Sequence, residues 1–449
     1  MNQPRLTRWW FAGVVAFTAA LLAWLSGYGD WLAPRKPLTG SPSRTAAASP
    51  KSPPRRAPHA PPARKIAAEP LPALDAEPSV KNEDRLSKLL RQRLNGAGVI
   101  RNEALLKFKS PEALRDFLGR AGRNKLTVLG RLDGLSAARI GFDELNQLRA
   151  AIEGDPSVYK DIDANFVVKV PDWPDTESRP SGSGTASFGG DGFLQAIGAD
   201  GNRSTWGAGV TVAVLDTGVE GHPTFGEGQI THIDLVNDSQ SLNGHGTAMA
   251  SLIGGQDEQA PGVAPATHIL DVRVADNQGL SNSFTLAEGI VQATDAGAQV
   301  INISLGSYGD ATVVRDAVAY AESKGAVIIG AAGNDQTSNQ LAYPAAISSV
   351  ISVGGVDANL QQAYFSNSGT GLDVTAPAVG IQSAYGKDSI VLGDGTSQAT
   401  AITSGAVAFG ISSGSTTASG AADWLKQNAL PLSLSSERGG AGMTQVKSP

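Results

Sequence analysis

Residues 210–218 decide the fold and read Val210-Thr-Val-Ala-Val-Leu-Asp-Thr-Gly218. The first six are apolar or β-branched, which is typical of a short central strand in a parallel sheet buried on both faces. Asp216 follows at the carboxyl end of this strand, where open α/β sheets gather ligands and catalytic groups. From about residue 190 onward, the chain is rich in Gly, Ala, Val and Ile. We therefore expect an α/β unit whose parallel sheet is covered by helices.

Two later segments also place a polar side chain in a Gly-rich turn before a run of small or apolar residues. Asn243-Gly-His-Gly-Thr247 puts His245 at the start of a predicted helix, flanked by glycines. Asp394-Gly-Thr-Ser397 puts Ser397 at the start of another, where unpaired N–H groups favour developing negative charge. Taken singly, each residue has an ordinary structural interpretation as a cap or a core histidine.

In combination, the three turns are more specific. Asp216, His245 and Ser397, in this order, resemble the signature blocks of the subtilisin-like (subtilase) serine proteases. Neighbouring segments agree, because His222-Pro223 follows the Asp block and Gly262-Val-Ala-Pro265 leads into a strand. The resemblance implies a serine endopeptidase in which these three residues form the catalytic triad.

Two further segments resemble the substrate and oxyanion elements of that family, and they read Asn302-Ile-Ser-Leu-Gly306 and Ala331-Ala-Gly-Asn334. The resemblance implies that an extended peptide pairs with the first segment and that Asn334 stabilises the oxyanion. The implied substrate-binding residues are Ser304, Leu305, Gly306, Ala331, Ala332 and Gly333. Asp335 either biases the pocket rim toward basic side chains or is a solvated surface carboxylate.

The family resemblance also implies polypeptide substrates, no cofactor for the chemistry, and calcium as a candidate structural ion. No dense carboxylate loop of the EF-hand type is present, so the metal ligands stay unknown. After the serine, Gln398-Ala-Thr-Ala-Ile-Thr403 departs from the Met-Ala-Thr/Ser-Pro-His-Val that is common in the family, which we interpret as altered packing.

The chain divides into successive segments by composition. Arg5 and Arg8 precede an apolar run, so residues 1–30 are expected to be a membrane anchor or signal segment that contacts the membrane through residues 9–27. The run has no convincing small-residue cleavage site, which favours an uncleaved anchor. Residues 31–80 are rich in Pro, Ala and Arg and predict a disordered tether.

Residues 81–171 predict a small α+β ferredoxin-like domain with the element order β-α-β-β-α-β. It resembles the inhibitory propeptide of subtilases, which makes the chain's own propeptide an expected partner of the catalytic domain. The four strands are expected at Glu103–Lys109, Lys125–Leu129, Ala137–Phe142 and Tyr159–Val170.

Three segments complete the predicted organisation: a flexible linker over 172–190, the subtilisin-like catalytic domain over 191–430 and a tail over 431–449. The linker is polar and rich in Pro, Ser and Gly, which makes it a natural cleavage site. This order predicts an exported zymogen, membrane-anchored with a periplasmic or extracellular catalytic domain that cleavage releases.

Composition and residue order weigh against other classes. The chain has no cysteine, which excludes disulfides and thiolate chemistry. The basic residues of 31–66 lie in a Pro-rich tether, so no nucleic-acid partner is expected. An aspartic protease would need a second Asp-Thr/Ser-Gly, which the chain lacks. An α/β-hydrolase would carry its catalytic residues in the opposite order, and a Rossmann dehydrogenase would need a G-x-G-x-x-G after Leu215. A catalytically inactive binding protein on the subtilase fold stays the alternative.

Overall fold

The computed structural model describes residues 80–171 and 185–446 of the 449-residue chain. The predicted membrane segment at residues 9–27 and the predicted tether lie outside these described residues. Within the two described ranges, no helix is both long and apolar enough to cross a membrane.

Residues 80–171 form a small N-terminal unit built on an antiparallel sheet. Its four-stranded sheet has the order β2-β3-β1-β4. Helix α2 begins at Pro111 behind the N-cap Ser110, whose hydroxyl accepts the Ala113 N–H at 3.2 Å. The elements are α1 (Val80–Leu94), β1 (Glu103–Phe108), α2 (Pro111–Arg120), β2 (Thr127–Leu132), β3 (Ala137–Gly141), α3 (Leu145–Glu153), β4 (Tyr159–Asp163) and β5 (Val167–Lys169).

The last predicted strand, Tyr159–Val170, is two strands in the structure. Strand β4 pairs with β1 inside the N-terminal sheet, whereas β5 pairs with a strand of the larger unit. Asn165 lies at the break between them and its side chain is fully buried. Its Nδ2 donates to Glu103 at 2.7 Å and its Oδ1 accepts the Phe284 N–H at 3.2 Å. The break therefore depends on residues far away in the sequence.

Residues 185–446 form the main unit around a seven-stranded parallel sheet with the order β13-β12-β11-β10-β6-β8-β7. Its strands are β6 (Thr211–Asp216), β7 (Ile230–Asp234), β8 (His268–Arg273), β10 (Val300–Ile303), β11 (Val327–Ala331), β12 (Ile351–Val356) and β13 (Val374–Pro377). Three further strands lie outside this sheet, namely β9 (Leu280–Asn282), β14 (Ile381–Tyr385) and β15 (Ser389–Gly393). The predicted α/β fold with a parallel sheet is confirmed.

Helices cover both faces of this sheet. Along β6, Val212 and Val214 belong to one buried cluster, and Ala213 and Leu215 belong to another. This alternation is expected for a strand buried on both faces, because successive side chains point to opposite sides. The helices of the main unit are α4 (Gly192–Ala196), α5 (His245–Gly254), α6 (Ser283–Asp295), α7 (Thr312–Ser323), α8 (Thr396–Ser412), α9 (Ala421–Asn428) and α10 (Ser436–Gly439).

The N-terminal unit packs onto the face that carries α6 and α7. Leu105, Leu132 and Ala137 from its sheet join the same buried cluster as Phe284 and Ala317 of these two helices. The two units therefore share a continuous apolar core at their contact.

The main unit extends beyond its expected limits at both ends. The Phe188 N–H donates to Val379 at 3.0 Å, so the end of the predicted linker is packed against the main unit. The segment after residue 430 is not a separate tail, because Met443 bridges to Thr375 at the edge of the sheet and Val446 is buried.

Candidate active site

Asp216 and His245 form a buried pair at the carboxyl end of β6. Asp216 is the last residue of that strand and is 0% exposed. The ring nitrogen Nδ1 of His245, the first residue of α5, lies 2.8 Å from Oδ1 and 3.0 Å from Oδ2 of Asp216. A carboxylate has only acceptors, so Nδ1 carries the proton and Nε2 of the neutral ring is left as an acceptor.

The residues around this pair hold it in position. The Thr217 hydroxyl donates to the Asn243 carbonyl at 2.8 Å and accepts the Gly246 N–H at 3.1 Å. The Asn243 side chain accepts the His245 N–H at 3.0 Å. A Cβ on Gly246 would lie 2.4 Å from the Gly218 carbonyl oxygen, so helix α5 can begin this close to the Asp216 loop only with glycine there.

Ser397 is the second residue of α8 and lies beside the end of β10. Its Oγ donates to the Ser304 carbonyl oxygen at 3.2 Å, and the Ser304 Oγ donates to the Ser397 carbonyl oxygen at 3.3 Å. In the part of the chain that the structure describes, the Ser397 hydroxyl makes no hydrogen bond to His245. The structure thus places the predicted nucleophile at a helix N-terminus, with its proton directed at a backbone carbonyl.

Asn334, which follows β11, is oriented by Thr396. Its Oδ1 accepts the Thr396 N–H at 2.9 Å and the Thr396 hydroxyl at 2.8 Å. The same hydroxyl accepts the Gly333 N–H at 3.2 Å. Two donors on Oδ1 determine which way the amide is turned, so the Nδ2 donor is directed away from Thr396.

Two backbone segments form the walls of a groove at this site, and strand β5 of the N-terminal unit lies between them. On one side, β5 pairs antiparallel with β9. On the other side, the Lys169 N–H donates to Gly306 at 2.9 Å and the Gly306 N–H donates to Lys169 at 3.0 Å. The groove therefore binds an extended chain through main-chain hydrogen bonds on both edges.

The groove opens into a cavity of about 730 Å³ beside Asn334. Four of the predicted substrate-binding residues line it, namely Leu305, Gly306, Ala331 and Gly333. Ala332 is instead buried in a small cluster with Leu341 and Leu372. Ser304 lies beside Ser397, with which it exchanges two hydrogen bonds.

Tyr308 and Asp335 form a polar pair at the same cavity. The Tyr308 hydroxyl donates to Asp335 and accepts from Asn367 Nδ2, the latter at 2.8 Å. Burial, followed by the hydrogen bond to Asp335, raises the pKa of Tyr308 to about 12. Tyr308 therefore stays protonated near neutral pH, and the exposed Asp335 carboxylate is engaged by this hydroxyl.

A second His–Asp pair supports the loop that follows Asp216. Asp271 on β8 is 3% exposed, and its Oδ2 accepts the Val219 N–H at 3.0 Å and contacts His232 Nδ1 at 2.8 Å. Burial raises the pKa of Asp271, whereas the hydrogen bond to Asp271 raises the pKa of His232. The pair lies under the Asp216 loop because β7, β8 and β6 are adjacent in the sheet.

No metal ligand is assigned. Within residues 80–171 and 185–446, no three His, Cys, Asp or Glu side chains are grouped so that they could hold a metal ion.

Sequence reasoning missed the residues that position the functional groups. Thr217 and Thr396 lie inside the signature blocks and were available as signals, because each adjoins a predicted catalytic residue. Asn243 lies in the His245 block, but no role was predicted for it. Asn165 and Asp271 carry no local signal, since their partners lie in other elements.

Comparison with known proteins identifies the class. Residues 207–442 match the Subtilase family. The chain is 37% identical over 211 residues to Subtilisin BL of Lederbergia lenta, covering 46% of this chain and 78% of that protein. It is 39% identical over 214 residues to the Thermophilic serine proteinase of Bacillus sp. (strain AK1), covering 46% of this chain and 53% of that protein.

A solved structure shows the same fold. Fervidolysin from Fervidobacterium pennivorans, a keratinolytic enzyme related to subtilisin, aligns with a TM-score of 0.66 at 22% identity, over 78% of this chain and 61% of that chain. The chain belongs to the subtilase family of serine proteases. It is a subtilisin-like serine endopeptidase that acts on polypeptides, so the resemblance drawn from the sequence blocks is confirmed.

Proposed function

We propose that the chain is the self-inhibited precursor of this endopeptidase, with Asp216, His245 and Ser397 as its catalytic triad. A serine hydroxyl is hardly ionised at neutral pH, so it needs a base. His245 Nε2 takes the proton as Ser397 Oγ attacks the substrate carbonyl, and returns it to the leaving amine. Asp216 holds the imidazole tautomer and stabilises its charged form, a role supported by the 2.8 Å contact with Nδ1.

The oxyanion of the tetrahedral intermediate is held by Asn334 Nδ2 and the Ser397 backbone N–H. The two hydrogen bonds from Thr396 to Asn334 Oδ1 support this role, because they orient the amide before charge develops. The Ser397 N–H lies in the first turn of α8, where it has no intrahelical partner and the helix dipole favours negative charge. No cofactor takes part in this chemistry.

The observation that carries the proposal is the position of strand β5. An extended segment of this chain lies in the groove, bonded to Gly306 and β9, and its end reaches the cavities beside Asn334 and His245. This is how an extended peptide substrate would lie. We infer that residues 81–171 are an inhibitory propeptide that fills the groove of the catalytic domain.

The contact between the two units supports this inference through two helix N-termini. Asn165 Oδ1 accepts the Phe284 N–H in the first turn of α6. Asp163 Oδ2 accepts the N–H of Thr312, the first residue of α7, at 2.8 Å, and the Thr312 hydroxyl donates to Asp161 at 2.8 Å. Acceptors and negative charge are favourable at helix N-termini, so the N-terminal unit caps two helices of the main unit.

The remaining organisation is proposed from the sequence. Residues 9–27 anchor or export the chain, residues 31–80 act as a tether, and the catalytic domain works in the periplasm or outside the cell. Cleavage in the linker detaches it from the membrane segment. A structural calcium ion belongs to the same proposal, with ligands unassigned.

The test compares the wild type with Ser397→Ala, both expressed as the full chain in a host lacking other proteases. The wild type should yield a species that begins between about residues 171 and 195, and Ser397→Ala should stay full-length and membrane-associated. A fluorophosphonate probe should label the wild type at Ser397. Processing of Ser397→Ala at the same place would refute self-maturation, and a wild type that is neither labelled nor active would indicate an inactive binding protein.

A further inference from the structure

The register of strand β5 places a proline at the reactive position of the groove. Lys169 and Gly306 exchange both backbone hydrogen bonds and are antiparallel. In an antiparallel ladder, pairs that exchange both bonds recur at every second residue. Continuing this register by two residues puts Pro171 opposite Ser304. An ordinary residue here would donate its N–H to the Ser304 carbonyl oxygen, but proline has no N–H.

The Ser304 carbonyl oxygen is instead the acceptor for the nucleophile. The Ser397 hydroxyl donates to it at 3.2 Å. A hydroxyl has one proton, so the hydroxyl that donates to Ser304 cannot at the same time donate to Nε2 of His245. In the structure, where Pro171 lies at the end of the groove, the Ser397 hydroxyl is thus bonded to Ser304 and not to its proposed base.

Two cavities locate Pro171 at the reacting centre. It lines one cavity together with Gly333 and Asn334, and a second together with Val170 and His245. The Pro171 residue thus lies between the oxyanion donor and the base, where the carbonyl group of a substrate must be attacked.

We propose that Pro171 makes the propeptide strand a poorly cleaved occupant of the groove, which keeps Ser397 in an unproductive hydrogen bond with Ser304 and makes the precursor latent. This inference rests on the proposed function. The hindered step is attack of Ser397 Oγ on the Pro171 carbonyl carbon. In that step, the hydroxyl proton passes through His245 to the departing nitrogen, the C–N bond breaks, and water later hydrolyses the acyl-enzyme.

An alanine at position 171 restores the missing donor. Its N–H can bond to the Ser304 carbonyl oxygen and compete there with the Ser397 hydroxyl, which then turns more readily toward His245. Relative to the wild type, Pro171→Ala gains one neutral hydrogen bond to the strand and loses one competing bond at Ser304. Together these changes correspond to a cut after residue 171 that is about ten- to thirtyfold faster. The first cut of the wild type falls instead within the linker that follows.

The experiment follows the full chain of the wild type, Pro171→Ala and Pro174→Ala during maturation, with intact-mass analysis to locate each cut. Pro174→Ala is the matched control, because it removes a proline only three residues further along the sequence. Pro171→Gly restores the same donor and serves as a second variant if Pro171→Ala fails to fold. We expect a cut after residue 171 that is about tenfold or more faster in the Pro171 variants alone.

Two results would overturn the inference. One is a wild type that cuts after Pro171 as fast as the variants, and the other is an equal acceleration in Pro174→Ala. Fluorophosphonate labelling of Ser397 in the matured enzyme separates these failures from a failure of the proposed function. Labelling with unchanged processing rejects the role of Pro171 alone, whereas no labelling in any form rejects the triad as well.

Discussion

Replacing Asn334 by alanine tests the oxyanion role most directly. The side chain is already oriented, because Thr396 donates to its Oδ1 at 2.9 Å from the backbone and 2.8 Å from the hydroxyl. In the proposed mechanism, Nδ2 is therefore available to the reacting carbonyl without reorganisation of the side chain. A donor of this kind acts mainly on the charge that develops in the transition state.

The expected loss in kcat for Asn334→Ala is about a hundred- to a thousandfold, or about 2.7–4 kcal/mol, which is the range known for the oxyanion-hole asparagine of subtilisin itself. Thr396→Val is the matched variant. It removes one of the two bonds that hold Asn334 and leaves the Gly333 N–H without its partner. About 1 kcal/mol for such a bond corresponds to about a fivefold fall in kcat.

The assay measures kcat and KM separately on a chromogenic peptide, with the matured enzyme titrated by a fluorophosphonate so that only active molecules are counted. KM should change little in both variants, because a neutral carbonyl gains little from this donor. A large rise in KM with unchanged kcat in Asn334→Ala would refute the reasoning and assign Asn334 to substrate binding.

Three further outcomes are expected. Ser397→Ala and His245→Ala should each lower turnover by about a million-fold, as in subtilisin, and the double variant should be little worse than either. Additive losses in the double variant would show that the two residues do not act as one catalytic unit. Asn165→Ala should weaken binding of the propeptide to the main unit, because it removes the two side-chain hydrogen bonds of Asn165 to Asn282 and to the Phe284 N–H. Inhibition measured on the processed complex should fall about thirtyfold, and unchanged inhibition would contradict the docking. His232→Gln should be less stable than the wild type below a pH of about 6.5, because the raised pKa of His232 means that its protonated form stabilises the folded state there. The thermal unfolding temperatures of the two proteins should converge as the pH rises through that pKa. A stability difference that grows with pH would contradict this prediction.

Several features of the fold and site follow from local sequence patterns. The β-branched run before Asp216 predicts a doubly buried strand, because side-chain alternation and solvent exclusion act over a few residues. The element order of residues 81–171 likewise follows from successive short patterns. The glycines around His245 predict a helix start there, which is confirmed, but the accessible ring expected from them is wrong, because His245 is 2% exposed and every residue of α5 is buried. The order of the three blocks along the chain was enough to identify the family.

Other features depend on contacts between distant parts of the chain. The division of the segment 159–170 into two strands arises because Asn165 bonds to Phe284, 119 residues away. The register of β5 is set by Gly306 and β9, which belong to the other unit. The pairing of Lys169 with Gly306, from which the place of Pro171 is inferred, therefore cannot be predicted from local pattern, since strand pairing register is an outcome of tertiary packing. The sequence determines which residues can do the chemistry. The three-dimensional packing determines that Pro171 of the same chain lies beside Asn334 and His245, because the register of β5 is set by residues of the main unit.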